Sequence, residues 1–218
     1  MRDSLFGYIR KHYLYAFVLG VMSFQANAAT VSYYLDQTNI DTILPDSSNY
    51  LKVTMNDVQP GQVDFLVEIV SGAFTEGPNF GIQAFAFNIL GSYVPSPDSF
   101  LLPESWSIQV APPPNTMDGF GGFDILVSDG GINRQDPLQF SLLGLALSDL
   151  VPVELSSGNA AQGNVAFAAH VTDFITSDSG VTSGFFGGST VVPVPAAVWL
   201  FGSGLLGLIG IARRKKAA

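Results

Sequence analysis

Apolar and polar residues alternate along several short segments of this chain, and this period of two constrains its fold more than any other feature. One such segment places apolar residues at every second position from 63 to 69, and the acidic residues Asp64 and Glu68 lie between them. The apolar residues are Val63, Phe65, Val67 and Ile69. Successive side chains of a β-strand point to opposite faces. The segment is therefore predicted to be a strand that buries one face and exposes the other.

A second alternating segment, residues 51–55, precedes the first one and completes a predicted hairpin. The two segments are joined by Gln59-Pro60-Gly61-Gln62. Proline followed by glycine favours a tight turn, because proline fixes one backbone angle and glycine accepts a positive φ. We therefore expect two antiparallel strands connected by a short turn.

Similar segments recur along the chain, separated by loops rich in Gly, Pro, Asn and Asp, and no helical period of useful length occurs between them. This arrangement is typical of all-β domains. We predict an all-β fold, an antiparallel β-sandwich or jelly roll of about eight strands. The strands are predicted at residues 31–35, 51–55, 63–69, 82–90, 106–110, 123–127, 138–143 and 165–171.

Two segments within this region do not follow the pattern. Pro112-Pro113-Pro114 removes three successive backbone donors, so it is predicted to be a loop or an extended edge of a sheet. Residues 142–150 fit either a short helix or a strand by periodicity. For that segment we predict a strand followed by a loop.

Residues 1–28 have the order of a secretory signal peptide. A basic region, an apolar region and small residues follow one another, which is the pattern that the secretion translocon and signal peptidase recognise. We predict cleavage after Ala28. The residues concerned are Arg2, Arg10 and Lys11, the apolar run 13–22, and the cleavage-site residues Ala26, Ala28 and Ala29.

The C-terminal residues 192–218 contain a candidate membrane span. The 17 residues from 196 to 212 carry no charge and would form a helix about 25 Å long. Pro195 fits the first turn of such a helix, where its missing N–H needs no partner. Trp199 lies near the same end, at the depth that tryptophan favours in membrane interfaces. We predict one transmembrane helix at residues 195–212.

A basic cluster follows this helix directly and predicts its orientation. Excess lysine and arginine marks the side of a membrane segment that stays in the cytoplasm. The C-terminus is therefore expected in the cytoplasm, with the preceding chain outside the inner membrane. The signal peptide predicts the same topology. The cluster consists of Arg213, Arg214, Lys215 and Lys216.

Residues 176–191 are rich in Gly, Ser and Thr, and they separate the predicted strands from the C-terminal helix. This composition is typical of a flexible linker, which over such a length would reach about 20 Å. We predict a linker at residues 176–191 and a single β domain at residues 29–175. Phe185 and Phe186 interrupt the linker, and they are expected either to dock on the domain or to lie at the membrane interface.

The charges are distributed unevenly along the chain. Residues 29–190 contain 17 acidic residues and only Lys52 and Arg134 as basic ones, a formal charge of −15, whereas the whole chain carries −9. Such a surface repels phosphate groups, so nucleic acid is not an expected partner. Cations and neutral sugars remain compatible. The chain has no cysteine, which excludes disulfides and thiolate metal sites.

The residues between the two ends do not predict catalysis. His170 is the single histidine there, and its predicted strand places it on the face opposite to the core, where a lone histidine is usually solvated. The sequence contains neither the nucleophile motifs of serine hydrolases, Gly-x-Ser-x-Gly and Ser-x-x-Lys, nor the His-Glu-x-x-His motif of zinc proteases. Glycosidases need only two carboxyl groups about 5–10 Å apart, but among 17 acidic residues such a pair arises by chance. We predict that the protein is not an enzyme.

The densest run of aspartate and glycine suggests a calcium site as one alternative. Carboxylates on glycine-rich loops can gather the oxygen ligands that Ca²⁺ prefers. The spacing does not match a known calcium loop, and aspartate and glycine also end strands as ordinary turn residues. The candidate ligands are Asp118, Asp124, Asp129 and Asp136.

The C-terminal segment resembles the PEP-CTERM sorting signal of Gram-negative bacteria that make extracellular polysaccharide. The resemblance covers residues 192–216: Pro193-Val194-Pro195 after Val192, the apolar segment, and the basic cluster. It implies recognition by exosortase, an integral-membrane cysteine protease, and cleavage near the Pro-x-Pro element. Val194 stands where the motif has glutamate, which leaves open which exosortase variant reads it and where it cuts. The family also implies a setting of exopolysaccharide and biofilm.

These observations together predict an exported, non-enzymatic protein of the cell surface or extracellular matrix, with a structural or adhesive role and extracellular polysaccharide as a candidate partner. One alternative is a carbohydrate-binding module, with or without calcium. It would expose Trp106, or several tyrosines side by side, in a groove, and a buried Trp106 would count against it. Another is a glycan-active hydrolase, which would bring two acids together in a concave pocket.

Overall fold

The computed structural model describes residues 29–89, 95–150, 160–177 and 180–191. The predicted signal peptide, residues 1–28, lies outside the described residues, as do the sorting motif, the helix predicted at 195–212 and the basic cluster after it.

The described residues form twelve strands and two short 3-10 helices, at Pro97–Ser99 and Leu147–Asp149. The first six strands are β1 Ala29–Leu35, β2 Gln37–Thr38, β3 Leu51–Gln59, β4 Gln62–Ile69, β5 Thr75–Phe87 and β6 Phe100–Leu101. The other six are β7 Ser107–Met117, β8 Gly121–Ser128, β9 Leu138–Leu143, β10 Phe167–Ile175, β11 Ser183–Gly188 and β12 Thr190–Val191.

The strands build two six-stranded antiparallel sheets. Sheet A has the order β12-β1-β3-β4-β9-β6, and sheet B has the order β2-β11-β10-β5-β8-β7. One main core of buried side chains takes residues from both sheets and lies between them. The predicted all-β class is confirmed, with more strands than expected because four short or glycine-rich strands carry no alternating pattern.

The predicted hairpin is confirmed as β3 and β4. Leu51 pairs with Ile69 and Val53 with Val67, and Gly61 takes a φ of 77° in the connecting turn. Val63, Phe65 and Val67 are buried, while the acidic residues between them lie on the outer face of sheet A. The side-chain alternation therefore predicted both the strand and its orientation.

Phenylalanine rings join the two sheets across the core. Phe65 of sheet A stacks on Phe140 of the same sheet at 4.6 Å between ring centroids, and it meets Phe87 of sheet B at 5.1 Å. Phe85 and Phe167 of sheet B stack at 5.9 Å. Each ring buries a large apolar surface, and stacked or tilted pairs add a further favourable contribution.

The triple proline lies in an edge strand. The sequence predicted either a loop or an extended edge, and the second is correct. β7 runs through Pro112-Pro113-Pro114 at the edge of sheet B, and its pairing with β8 is interrupted between Val110 and Asn115. Proline cannot donate to a ladder, so an interrupted edge accommodates it. β9 matches its predicted bounds and is followed by a 3-10 turn.

The register predicted around His170 is correct for Phe167, Ala169 and Val171, which belong to the main core. It is wrong for Val165, which precedes β10 and lies in a second apolar cluster. We call this second group the outer cluster. It contains Ala86, Met117, Phe120, Phe123, Val165 and Ala168.

The flexible linker predicted at residues 176–191 is wrong over its second half. β11 pairs with β10 and with β2, and β12 pairs with β1, so the domain continues to Val191. Phe186 is fully buried in the core. The small residues reflect close packing: a Cβ on Gly187 would lie 2.6 Å from the ring of Phe120. Glycine composition alone does not distinguish such packing from flexibility.

Among the residues that the structure describes, no helix has the length and apolar character needed to cross a membrane.

Truncating Phe186 tests whether this segment belongs to the folded domain. We expect Phe186→Ala to lower the free energy of unfolding by about 3–5 kcal/mol, because it empties a core position. Phe185→Ala removes the same atoms from a half-buried ring on the other face and should cost less. Urea unfolding of the purified protein measures both. If Phe186→Ala were as stable as the wild type, the segment would not belong to the folded domain, and the linker prediction would be correct.

Candidate functional site

An open groove lies on the outer face of sheet A, and we call it the outer groove. The antiparallel register brings Asn56 of β3, Asp64 of β4 and Ser141 of β9 into one row across the strands. Leu101 of β6 pairs with Ser141 at the edge of the sheet. The groove has a volume of about 810 Å³. Its polar lining residues are Asn56, Gln62, Asp64, Gln135, Gln139 and Ser141.

Asp64 is the centre of a hydrogen-bond network in the outer groove. The amide of Gln62 donates from Nε2 to Asp64 Oδ1 at 2.6 Å, and the hydroxyl of Ser141 donates to the same oxygen at 2.7 Å. Gln62 Nε2 also lies 3.4 Å from Ser141 Oγ. These contacts fix the carboxylate through one oxygen. Among the described residues, the hydrogen bonds to Asp64 all reach Oδ1, and Oδ2 has no donor.

Of the described residues that line the outer groove, Asp64 is the only acidic one. Hydrolysis of a glycosidic bond in the common two-carboxylate mechanism needs a second acid about 5–10 Å away. The groove instead offers amides and a hydroxyl, which bind without donating or abstracting a proton at neutral pH. These groups can form hydrogen bonds with a polar ligand.

The candidate calcium ligands lie in separate hydrogen-bonded positions. Asp118 Oδ2 accepts from the amide of Asn39 at 3.0 Å. Asp124 Oδ2 accepts from the backbone N–H of Ile89 at the same distance. Among the residues that the structure describes, no three His, Cys, Asp or Glu side chains form a group that could hold a metal ion. The four aspartates are not gathered into one site.

The other two candidates, Asp129 and Asp136, also accept hydrogen bonds from the backbone. Asp129 is 6% exposed, and its Oδ1 accepts from the backbone N–H of Gly131 at 2.6 Å. Asp136 Oδ1 accepts from the backbone N–H of Ile69 at 3.0 Å. Burial raises the pKa of Asp136, the Ile69 N–H opposes this, and the charges of Glu76 and Glu68 raise it further. Asp129 therefore acts as an ordinary turn residue, which was the alternative to calcium binding in the sequence analysis.

Trp106 is buried, with 7% of its surface exposed, and packs in the main core. Its indole Nε1–H donates to the backbone carbonyl of Asn133 at 3.0 Å, which satisfies its polar group. A carbohydrate-binding surface built on an exposed Trp106 is therefore not present. A binding site for sugars, if carried by this domain, has to use other side chains.

His170 lies on the face predicted from the register, but its expected solvation is wrong. Its ring stacks on Phe185, with centroids 4.2 Å apart and an interplanar angle of 3°. Burial lowers the pKa of His170, the positive charge of Arg134 lowers it further, and Asp129 opposes both. The outer cluster explains the difference, because it covers part of this sheet face with apolar side chains.

Sequence reasoning did not find the outer groove. It predicted that Asp64 faces outward, and the alternation of Gln139 and Ser141 in the strand predicted at 138–143 carried the same signal. What was missing was the pairing of β4 with β9, which joins residues 77 positions apart. Short-range patterns do not specify which strands become neighbours.

Comparison of the chain with protein-family models, with curated proteins and with solved structures gives no match.

The lowered pKa of His170 predicts a pH-dependent stability. The folded protein disfavours protonation of this ring, so the unfolded chain binds the extra proton first. Stability should therefore be full above the ordinary histidine pKa of about 6.5 and decrease as the pH falls through the lower folded value. Urea unfolding from about pH 8 to about pH 5 measures this loss.

The matched variant for this experiment is His170→Asn, which keeps a polar planar group and cannot titrate. We expect a smaller decrease in stability over the same pH range than in the wild type. Asp136→Asn serves as a control for the sign, because the raised pKa of Asp136 makes the folded state more stable, not less, as the pH falls. Identical pH profiles of the wild type and His170→Asn would contradict the assignment.

Proposed function

We propose that this protein is an exported, non-enzymatic component of the cell surface or extracellular matrix, with a structural or adhesive role. The observation that supports this best is that the aspartate carboxylates accept structural hydrogen bonds in separate parts of the domain. In the described residues Asp118, Asp124, Asp129 and Asp136 fasten separate segments, and the outer groove contains a single acid. A folded acidic domain with an open polar groove fits binding and cohesion better than catalysis.

Export and sorting use the two ends of the chain. The translocon and signal peptidase act on residues 1–28, and the C-terminal helix at 195–212 holds the protein in the inner membrane with its basic cluster in the cytoplasm. Exosortase then cleaves near Pro193-Val194-Pro195 and releases the domain to the surface or the matrix. The position of β12 supports this order, because the strand ends at Val191, directly before the motif. Cleavage within the motif would leave every described strand intact.

The charge of the domain supports a matrix of uncharged polysaccharide as its environment. Residues 29–190 carry a formal charge of −15, which is unfavourable beside polyanions and anionic head groups. Uncharged sugars impose no such repulsion. The carbohydrate-binding alternative is favoured by the outer groove rather than by Trp106.

Sorting is tested by fractionating cells that contain or lack the candidate exosortase and measuring the mass of the protein. We expect the wild-type protein in the outer or extracellular fraction, shortened at both ends. Without the protease, it should remain in the inner membrane with its C-terminal segment intact. A variant that combines Pro193→Ala and Pro195→Ala should behave like the protease-deficient cells, whereas Ser189→Ala, just before the motif, should not.

Two results would overturn this proposal. One is a C-terminus that stays intact in the membrane whether or not the protease is present, which would make the segment a permanent anchor. The other is hydrolysis of a polysaccharide by the purified protein at an ordinary enzymatic rate, with loss of activity when one particular pair of carboxylates is replaced.

A further inference from the structure

We propose that the outer groove binds a chain of an uncharged polysaccharide. This inference rests on the proposed adhesive role and gives it a ligand class and a site. It uses a different part of the protein from the sorting signals, so that the two can fail independently.

The polar side chains of the outer groove match the hydroxyl groups of sugars. A sugar hydroxyl both donates and accepts hydrogen bonds, and carboxamides offer the same two functions side by side. Four amides line the groove, on Asn56, Gln62, Gln135 and Gln139. Gln62 and Ser141 already hold Asp64 through its Oδ1. A carboxylate that is fixed before the ligand arrives loses little conformational freedom on binding.

The polar residues are spaced regularly across the sheet. Thr30 pairs with Asn56, Asn56 with Asp64, and Asp64 with Ser141, so β1, β3, β4 and β9 each contribute one polar residue to a single row. Neighbouring strands lie about 4.8 Å apart. Successive rings of an extended glycan repeat at a similar interval, so a chain that crosses the strands would meet one polar side chain per ring.

Aliphatic side chains supply the apolar part of the surface. Leu66 and Leu101 lie beside the polar row, and Leu101 is 53% exposed. Leu102, Pro103 and Pro137 add apolar lining from the adjoining loops, and the buried Phe65 and Phe140 of the sheet border the groove as well. Sugar rings present C–H surface as well as hydroxyls, and covering this surface contributes a hydrophobic gain. Aliphatic residues take the place that aromatic side chains occupy in many sugar sites.

Charge selects the uncharged class of polysaccharide. Among the described residues that line the outer groove there is no lysine or arginine, and Asp64 is the one charged residue. Uronic acid or sulfated chains would place further negative charge beside this carboxylate without a cation to compensate. A neutral chain can donate its hydroxyl protons to the free Oδ2 instead.

The edge of sheet A leaves room for a long ligand. β6 pairs with β9 only at Leu142 and Ser141, so residues 138–140 of β9 extend beyond it. An open edge can also accept a strand from a second copy of the chain. Pro137 directly before β9 makes this edge a poor template, because proline cannot donate to a ladder. The side chains on the sheet face therefore favour the polysaccharide.

The test is retention of the full-length protein in detergent micelles on insoluble polysaccharides. The uncharged probes are cellulose, a β-1,3-glucan, mannan and xylan, and the anionic probe is an alginate gel. We expect retention on at least one uncharged probe, unaffected by added salt, and none on alginate. Asp64→Ala and Gln139→Ala should each weaken it about tenfold, since each removes a side chain that would hydrogen-bond the ligand.

Glu68→Ala is the matched control for Asp64→Ala, because it removes an outward acid of the same strand that does not line the groove. It should bind like the wild type, and thermal unfolding must show that all three variants are folded. Failure of every uncharged probe would overturn the inference, and so would retention that neither groove variant weakens. A different outcome would be that the protein is not retained on any polysaccharide but forms concentration-dependent dimers, which the Gln139→Pro variant abolishes. That outcome would assign the groove to strand pairing between two copies of the chain. None of these results would affect the sorting proposal.

Discussion

Phenylalanine packing between the two sheets is the interaction on which the rest of this domain depends. The chain contains 17 phenylalanines and no cysteine, so burial of apolar surface has to hold the sheets together. Phe65 contacts Phe140 within sheet A and Phe87 across the core, which places it at the junction of both sheets. Tyr50, directly before β3 of sheet A, contacts Phe186 of sheet B with ring centroids 4.9 Å apart.

The same packing determines what lies outside. A strand cannot shift by one residue without exchanging its faces, so burial of Phe65 fixes Asp64 on the solvent side. The pairing of β3, β4 and β9 then aligns Asn56, Asp64 and Ser141 in one row. The outer groove is thus a consequence of the core register together with the short β6, rather than of a local motif. Sheet B differs, because the outer cluster covers part of its second face.

The parts of the fold that could be predicted were those encoded by neighbours in sequence. The hairpin of β3 and β4, the bounds of β9 and the outward direction of His170 all follow from alternation over a few residues. The glycine-rich β11 could not be predicted in this way, because its glycines are explained by Phe120 and other residues far along the chain. The stacking of His170 on Phe185 was missed for the same reason.

For the candidate site, the sequence by itself determined the residue types, the acidic charge of the domain and the face on which Asp64 lies. The sequence also contains the two end segments on which the sorting proposal rests. Only the tertiary structure decided that Gln62 and Ser141 hold Asp64, that the calcium candidates lie apart and that Trp106 is buried. The physical reason is that side-chain direction is a local property of a strand, whereas strand pairing depends on contacts between distant segments competing for one core.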